Sequence, residues 1–301
     1  MVLVTGATGF VGSHLLRRMR SAGLPVRAMV RDSEKTQGLR ELGVEIVVGD
    51  FSDKASLMSA ATGVERVVHL VGIIQESPGA TFQSVHVEGT KNLVAALKQA
   101  GVRHLVYQSA LGARAQSPSR YHQTKWEAEE LVRNSGIPYT IVRPSLIYGP
   151  GDQFTLRLVD MIRRSPVLPI IGSGSSKVQP LYIDDEVSCL IKTISSDAYL
   201  NEICEIGGPD QLTYEEVSRA IARALGAQRS VLHMPIFFMK PMVRAMEAML
   251  VKPFLTTDQL IMLQEDNVCS MKDIRDAFEI EPIPFEQGLS RYIGKRMDNL
   301  N

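Results

Sequence analysis

Apolar and polar positions come in blocks along the first half of the chain rather than alternating residue by residue. Short, mostly β-branched runs at Val2–Thr5, Val26–Val30, Val44–Val48, Arg66–Val71, His104–Ser109 and Tyr139–Arg143 predict six strands. Helical patterns fall between them: Phe10–Ala22 stopped by Gly23, a weaker one over Ser33–Leu42, Asp53–Ala61, Thr81–Ala100 closed by Gly101, and Ser119–Asn134 ahead of Gly136. Strands that are apolar without alternation need cover on both faces, which is the situation of a parallel sheet between two helical layers. Strand–helix–strand repetition with short connections makes right-handed crossovers and predicts an α/β fold built on a doubly wound parallel sheet. After Pro150-Gly151 the rhythm changes. Asp152–Arg164 reads as a helix, residues 172–176 as a Gly/Ser loop, and a further helix begins near Asp184. Thr213 and Glu216 have capping-box spacing and open a helix that ends at Gly226. The expected organisation is residues 1–151 as one domain and 152–301 as a smaller α/β lobe interleaved with it.

Composition narrows the class. Hydrophobic residues make 45% and charged residues 22% of the 301, enough for a sizeable core. Lysine plus arginine equals aspartate plus glutamate, 33 each, which argues against a broad nucleic-acid footprint. The three cysteines, at 189, 204 and 269, are too few and too scattered for a disulfide framework or a zinc site, and no metal is expected. No apolar run approaches the roughly 18 residues of a spanning helix. The chain starts directly on a strand-like run without a signal-peptide pattern, so a cytoplasmic protein is expected, with peripheral attachment to a membrane left open.

Chemistry enters at the first turn. Thr5-Gly6-Ala7-Thr8-Gly9-Phe10-Val11-Gly12 joins the first strand to the first helix, with glycines spaced G-x-x-G-x-x-G. Glycine permits a tight turn and a close approach of backbone to a pyrophosphate, and the helix offers free N–H groups and a positive dipole end. Arg31 and Asp32 stand side by side after the second strand, where a carboxylate would bind the ribose of NAD and a basic residue the 2′-phosphate of NADP. Because the apolar run ends at Val30, Arg31 is the first residue past the strand, and NADP(H) is expected in preference to NAD(H). Tyr121 and Lys125 sit four apart on one helix face, where a cation lowers a phenol pKa towards working pH. Ser109 ends the fifth strand, where ligands sit in such sheets.

Glycine turn, strand-end serine and Y-x-x-x-K, in this order, resemble the short-chain dehydrogenase/reductase superfamily, and its extended or atypical branch in particular. Further stretches match that branch: Gly49-Asp50-Phe51, Val87-Glu-Gly-Thr-Lys-Asn92 and Val142-Arg-Pro-Ser-Leu-Ile-Tyr-Gly-Pro-Gly151. His86-Val-Glu-Gly-Thr90, Ser109-Ala-Leu-Gly112 and Ile141-Val-Arg-Pro-Ser145 are most similar to the group that includes the NADPH-binding accessory subunit of respiratory complex I. The resemblance implies a Rossmann-like domain with a small substrate-side lobe. It implies that Gly6, Thr8, Gly9, Phe10, Val11 and Gly12 hold the pyrophosphate, with Arg31 at the 2′-phosphate. Asp50 would meet the adenine amine and Phe51 its ring, while Leu70, Val71 and Gly72 line the ribose. Pro144, Ser145, Leu146 and Ile147 would pack near the nicotinamide. Ser109, Tyr121 and Lys125 would be catalytic: Tyr121 the proton donor, Ser109 orienting the substrate oxygen, Lys125 binding the nicotinamide ribose and lowering the tyrosine pKa.

Two positions depart from the branch. His86 stands where extended members carry an asparagine that helps feed protons to the lysine, and it reads either as a substitute relay or as a packed histidine. Val178 stands where nucleotide-sugar enzymes carry a diphosphate-gripping arginine, which makes an epimerase or dehydratase the weakest reading. Two others remain. One is an NADP-dependent oxidoreductase acting on a small carbonyl or a lipophilic, quinone-like substrate; the other is a non-catalytic NADPH-binding accessory, assembly or redox-sensing protein. The superfamily often dimerises through the helices at 89–100 and 119–134, so a homodimer is also implied. Finally, 234–257 carries five of the thirteen methionines with Lys240, Arg244 and Lys252 around them. It reads as a helix closing the lobe's core, as a lid over a lipophilic substrate, or as a contact with a membrane or protein complex. Pro241 is expected to prevent one uninterrupted helix there.

Overall fold

The computed structural model describes residues 1–32, 34–269 and 272–293. In chain order its strands are β1 (Val2–Thr5), β2 (Val26–Val30), β3 (Glu45–Val48), β4 (Arg66–His69), β5 (His104–Gln108), β6 (Tyr139–Pro144), β7 (Ile147–Tyr148), β8 (Val167–Ile171), β9 (Lys177–Val178), β10 (Leu181–Tyr182), β11 (Glu202–Ile206), β12 (Leu212–Thr213) and β13 (Ser230–Met234). The helices are α1 (Phe10–Ser21), α2 (Gln37–Glu41), α3 (Lys54–Ala61), α4 (Gly89–Gln99), α5 (Arg120–Arg133), α6 (Gln153–Arg164), α7 (Ile183–Ser195), α8 (Tyr214–Ala224), α9 (Ile236–Met249), α10 (Thr257–Met262), α11 (Lys272–Phe278) and α12 (Phe285–Ser290).

Seven strands form one sheet in the order β11-β6-β5-β4-β1-β2-β3, and β1 to β6 run parallel. This is the Rossmann-like doubly wound order, with its switch point between β1 and β4. The two faces of each strand are buried alternately. Leu3, Val67, Leu105, Tyr107 and Ile141 join one core with Leu57 of α3, Leu93 and Leu97 of α4, and Ala128 and Val132 of α5. Their neighbours Val4, Val68, Val106 and Val142 are equally buried but stand outside that core, as the two-residue strand period requires. Burial on both sides is why these strands show no alternation in sequence.

The chain forms two compact units, one of Met1–Arg143 with Glu186–Cys204, the other of Pro144–Asp185 with Glu205–Asn301. Several elements differ from expectation. β11, the seventh strand of the main sheet, lies in a stretch that the sequence pattern leaves unassigned. In the second unit β8 and β13 form a parallel pair that is likewise unanticipated, because β8 is a short, uniformly apolar run holding a proline and β13 is largely exposed and of mixed polarity. The helix expected over Thr81–Ala100 is two pieces, a π-helical turn at Gln83–Glu88 and then α4. The weak helix expected from Ser33 is a tight 3₁₀ turn at Glu34–Thr36 followed by α2; Ser33 itself lies outside the described residues. Pro241 does not interrupt α9. It sits in the second turn on the exposed side, where the carbonyl it leaves without a helical donor, that of Phe237, belongs to a solvent-facing residue. The capping box at Thr213–Glu216 is present, and Asp53, Ser119 and Asp152 cap α3, α5 and α6.

Glu186 of α7 is fully buried, and neither carboxylate oxygen meets a hydrogen-bond donor among the described residues. Burial pushes its pKa up to about 8 from an ordinary 4.5. The folded state therefore holds this proton more tightly than the unfolded chain, and the associated stability, complete below about pH 4.5, is lost as pH rises towards 8. Glu186→Gln should thus gain thermal stability on wild type progressively from pH 5 to pH 8, with the two nearly equal at pH 5. A constant difference in melting temperature across that range would contradict this.

Candidate functional site

The turn after β1 is closely packed against the loop after β4. Gly6 has φ +75°, and a Cβ there would come within 3.0 Å of the Leu70 carbonyl carbon and 3.1 Å of the Val71 nitrogen. The loops after β1 and β4 thus meet backbone to backbone at the switch point. At Gly12 a methyl would run into the Gly6 carbonyl oxygen, so α1 begins directly against the turn. Gly9 is the N-cap residue of α1, no side chain caps it, and no acidic residue lies in the first turn. The start of α1 therefore presents main-chain N–H groups and a positive dipole end at an edge that only glycines could leave open. The residues present fit the pyrophosphate of a dinucleotide.

Arg31 follows β2 directly and is exposed. The Asp32 carboxylate accepts from the Glu34 amide at 2.9 Å, closing its own turn. Asp50 accepts from the Ser52 hydroxyl at 2.5 Å and the Ser52 amide at 2.8 Å, and these bonds hold its pKa below the usual range, with a smaller pull from Arg31. Phe51 is half-buried, its ring 5.4 Å from the His69 ring. Gly72 is exposed, and a Cβ on it would lie 3.5 Å from His86 Nε2 and 3.7 Å from Lys125 Nζ.

Lys125 is buried on α5 and donates to the Gln108 carbonyl at 2.6 Å, with its ammonium 4.6 Å from the centre of the Tyr107 ring. Burial pulls its pKa down to about 7, against the opposing pull of Glu129 one turn along. Glu129 is itself fully buried and takes two bonds from Arg143, at 2.9 and 2.6 Å. Ser109 follows Gln108. It is buried, its amide bonds the Val142 carbonyl at 2.7 Å, and its hydroxyl has no partner among the described residues. Tyr121 is half-buried within an aromatic ring set: Phe82, His86 and His122 stand 5.9, 5.5 and 5.4 Å from it between centroids.

The structure thus brings together Gly6 with Leu70 and Val71, Gly72 with Lys125, and Lys125 with the backbone that carries Ser109. The four predicted residues 144–147 belong to the second unit. There Ser145 donates to Asn267 and accepts from the Gln179 amide at 3.2 Å, and the Leu146 carbonyl accepts from Leu181.

Two histidines carry more of the site than their sequence positions suggest. His69 ends β4, bonded to Thr5 at 2.6 Å and Thr90 at 3.3 Å. His86 Nε2 accepts from the Ile73 amide at 3.0 Å, and its Nδ1 meets the Thr124 hydroxyl at 2.9 Å. Burial first, and the Lys125 cation second, lower both to about 3, so both are neutral at working pH. A polar residue closing an otherwise apolar parallel strand was the available signal for Thr5 and His69. Glu129, on α5 one turn after the lysine, could have been found by its i, i+4 spacing.

A doubly wound sheet with a glycine-lined, uncapped helix start at its switch point defines a dinucleotide-binding protein. Residues 6–160 match the model of an NAD(P)H-binding family, and the chain belongs to that family. It is 34% identical over 236 residues to a protein named ceramide reductase from Caulobacter vibrioides, covering 78% of this chain and 74% of that one. It is 27% identical to the mitochondrial NADH dehydrogenase [ubiquinone] 1 alpha subcomplex subunit 9 of Arabidopsis thaliana, over 90% of this chain and 72% of that one. Among solved structures, an NADPH-dependent quinone oxidoreductase of Escherichia coli superposes with TM-score 0.78 at 20% identity, over 97% of this chain and all of that one, a likeness of fold.

Because Glu129 pairs with the half-buried Arg143 and faces Lys125, Glu129→Gln should leave the guanidinium poorly compensated and lower the Lys125 pKa further. A loss of about 3 kcal/mol or more is expected by urea denaturation. A loss below about 1 kcal/mol would mean that the carboxylate's charge is not what holds this corner of the sheet.

Proposed function

We propose that this protein is an NADP(H)-dependent reductase acting on a carbonyl or a lipophilic, quinone-like substrate. The observation that carries the reading is the buried, unpartnered Ser109 hydroxyl, on the backbone that anchors Lys125. A buried hydroxyl without a partner costs free energy, and a substrate oxygen is a partner of the right kind. The nicotinamide cofactor supplies hydride when bound. Ser109 Oγ donates to the substrate oxygen, the Tyr121 hydroxyl hands it a proton, and the Lys125 ammonium favours the phenolate that results. Kinship with a protein named for ceramide reduction supports a lipophilic substrate.

The test follows NADPH absorbance as the purified protein meets aldehydes, ketones and short-chain quinones, with Tyr121→Phe alongside. Consumption by wild type, reduced about 10²-fold or more in the variant, is the expected outcome. Equal consumption by both proteins would remove Tyr121 from the mechanism.

The preference for NADP rests on Arg31, exposed at the end of β2 beside a carboxylate already closing its own turn. Arg31→Ala should weaken NADPH binding by about 10- to 100-fold, the size of a charge-assisted bond to phosphate, and leave NADH binding unchanged. Equal loss for both cofactors would overturn the preference.

A second reading is favoured by His86. With Nε2 accepting from the Ile73 amide, its ring has no free lone pair to pass a proton towards Lys125. A closed relay suits a protein that holds NADPH without turning it over, and kinship with a complex I subunit fits that role. Tight binding without consumption in either protein would favour it.

A further inference from the structure

α9 has two apolar faces, and only one of them is covered. At 3.6 residues per turn, Ile236, Met239, Val243 and Met246 share one stripe. Met239 and Val243 are buried there against Leu255 and Leu260, with Ile171, Met234 and Leu263 at the margin. That stripe accounts for the packing of the helix. A second stripe about 110° round the helix, Phe238, Met242, Ala245 and Met249, faces solvent, with Phe237 towards the far side at 79% exposure and Met249 at 83%. The turn after the helix continues the surface with Leu250, Val251 and Phe254, each more than half exposed. Large apolar side chains clustered in this way on a water-facing helix mark a contact surface.

The charges around the patch are predominantly positive. Residues 234–257 hold three cations, Lys240, Arg244 and Lys252, and a single carboxylate, Glu247, in a chain whose net charge is zero. Glu247 is turned onto Thr257, accepting from its amide at 2.8 Å and its hydroxyl at 2.5 Å. Lys240 and Arg244, four apart, flank the Phe237 side of the exposed stripe. A second copy docking through the same patch would bring these cations face to face, so self-pairing is disfavoured by charge. Aromatic and methionine side chains on one face with lysine and arginine along the edge match the interfacial zone of an anionic bilayer, where the rings enter the acyl boundary and the cations meet headgroup phosphates.

We propose that the exposed face of α9 and the turn through Phe254 seat this protein on the surface of a membrane containing anionic lipid. The contact is peripheral, since among the described residues no helix is long and apolar enough to cross a bilayer. Flotation of the full chain with phosphatidylcholine–phosphatidylglycerol vesicles tests it, beside vesicles of phosphatidylcholine alone. The protein should float with the anionic vesicles at low salt, bind phosphatidylcholine more weakly, and lose binding as salt screens the cations. Phe238→Glu combined with Met249→Glu should reduce the bound fraction about tenfold or more, while NADPH binding and melting temperature stay at wild-type values, because both side chains face water. Failure of wild type to float with anionic vesicles would overturn the proposal. So would equal flotation of the double variant, or a stable dimer of wild type that the double variant converts to monomer.

Discussion

In the turn after β1, main chain lies against main chain with nothing between. The Gly6 backbone touches the loop after β4, and the first turn of α1 touches the Gly6 carbonyl. A single methyl at Gly12 would have to push the helix start away from the turn backbone of Gly6 and Ala7. This steric condition does two things at once. It draws α1 close enough to pack on β1 and β2, and it leaves the helix's first amides facing the open edge of the sheet without a side chain over them. The same glycines therefore serve the packing and leave the helix start open.

A buried cation organises what surrounds it. Lys125 is held by a carbonyl and an aromatic face, and one turn further along α5 the buried Glu129 pairs with the half-buried Arg143. A charge this deep makes a second positive charge nearby costly, and His69 and His86 are both kept neutral, by burial and then by the lysine. Neutral imidazoles can accept hydrogen bonds as well as donate them. His86 uses that capacity to fix the Ile73 amide, and so the loop that carries Gly72 past the lysine. The π-helical turn at Gln83–Glu88 carries this ring, an extra residue in the helix at a site, as such turns often are.

The second unit shows a different balance. Its polar groups near the chain's return are closed on one another, as with Ser145, Asn267 and Gln179, whereas α9 leaves a continuous apolar surface uncovered. Its core is satisfied by one stripe of the helix, so the exposed stripe of phenylalanine and methionine serves no packing purpose within the described residues.

Most of the first unit was legible in the sequence because its strands are buried on both sides and its helices on one, which imprints two distinct periods. Gly6, Gly9 and Gly12, Tyr121 with Lys125, and the capping box at Thr213 were visible for the same reason, since each needs a fixed spacing on one local element. β11 and the β8–β13 pair were not, because β11 and β13 are partly exposed and of mixed polarity, β8 is a short run holding a proline, and their partners are distant in the chain. Nor could spacing place Thr5, His69 and Thr90 in one hydrogen-bonded chain, or set the His86 ring between Ile73 and Thr124. The continuation of α9 through Pro241 depended on which side of the helix the proline would face. Sequence by itself determined the local elements and the identity of the chemical groups, through periodicity and residue chemistry. Only the tertiary structure decided which groups became neutral, which remained without a partner, and which apolar face was left to water, because each of these follows from burial by residues far away in the chain.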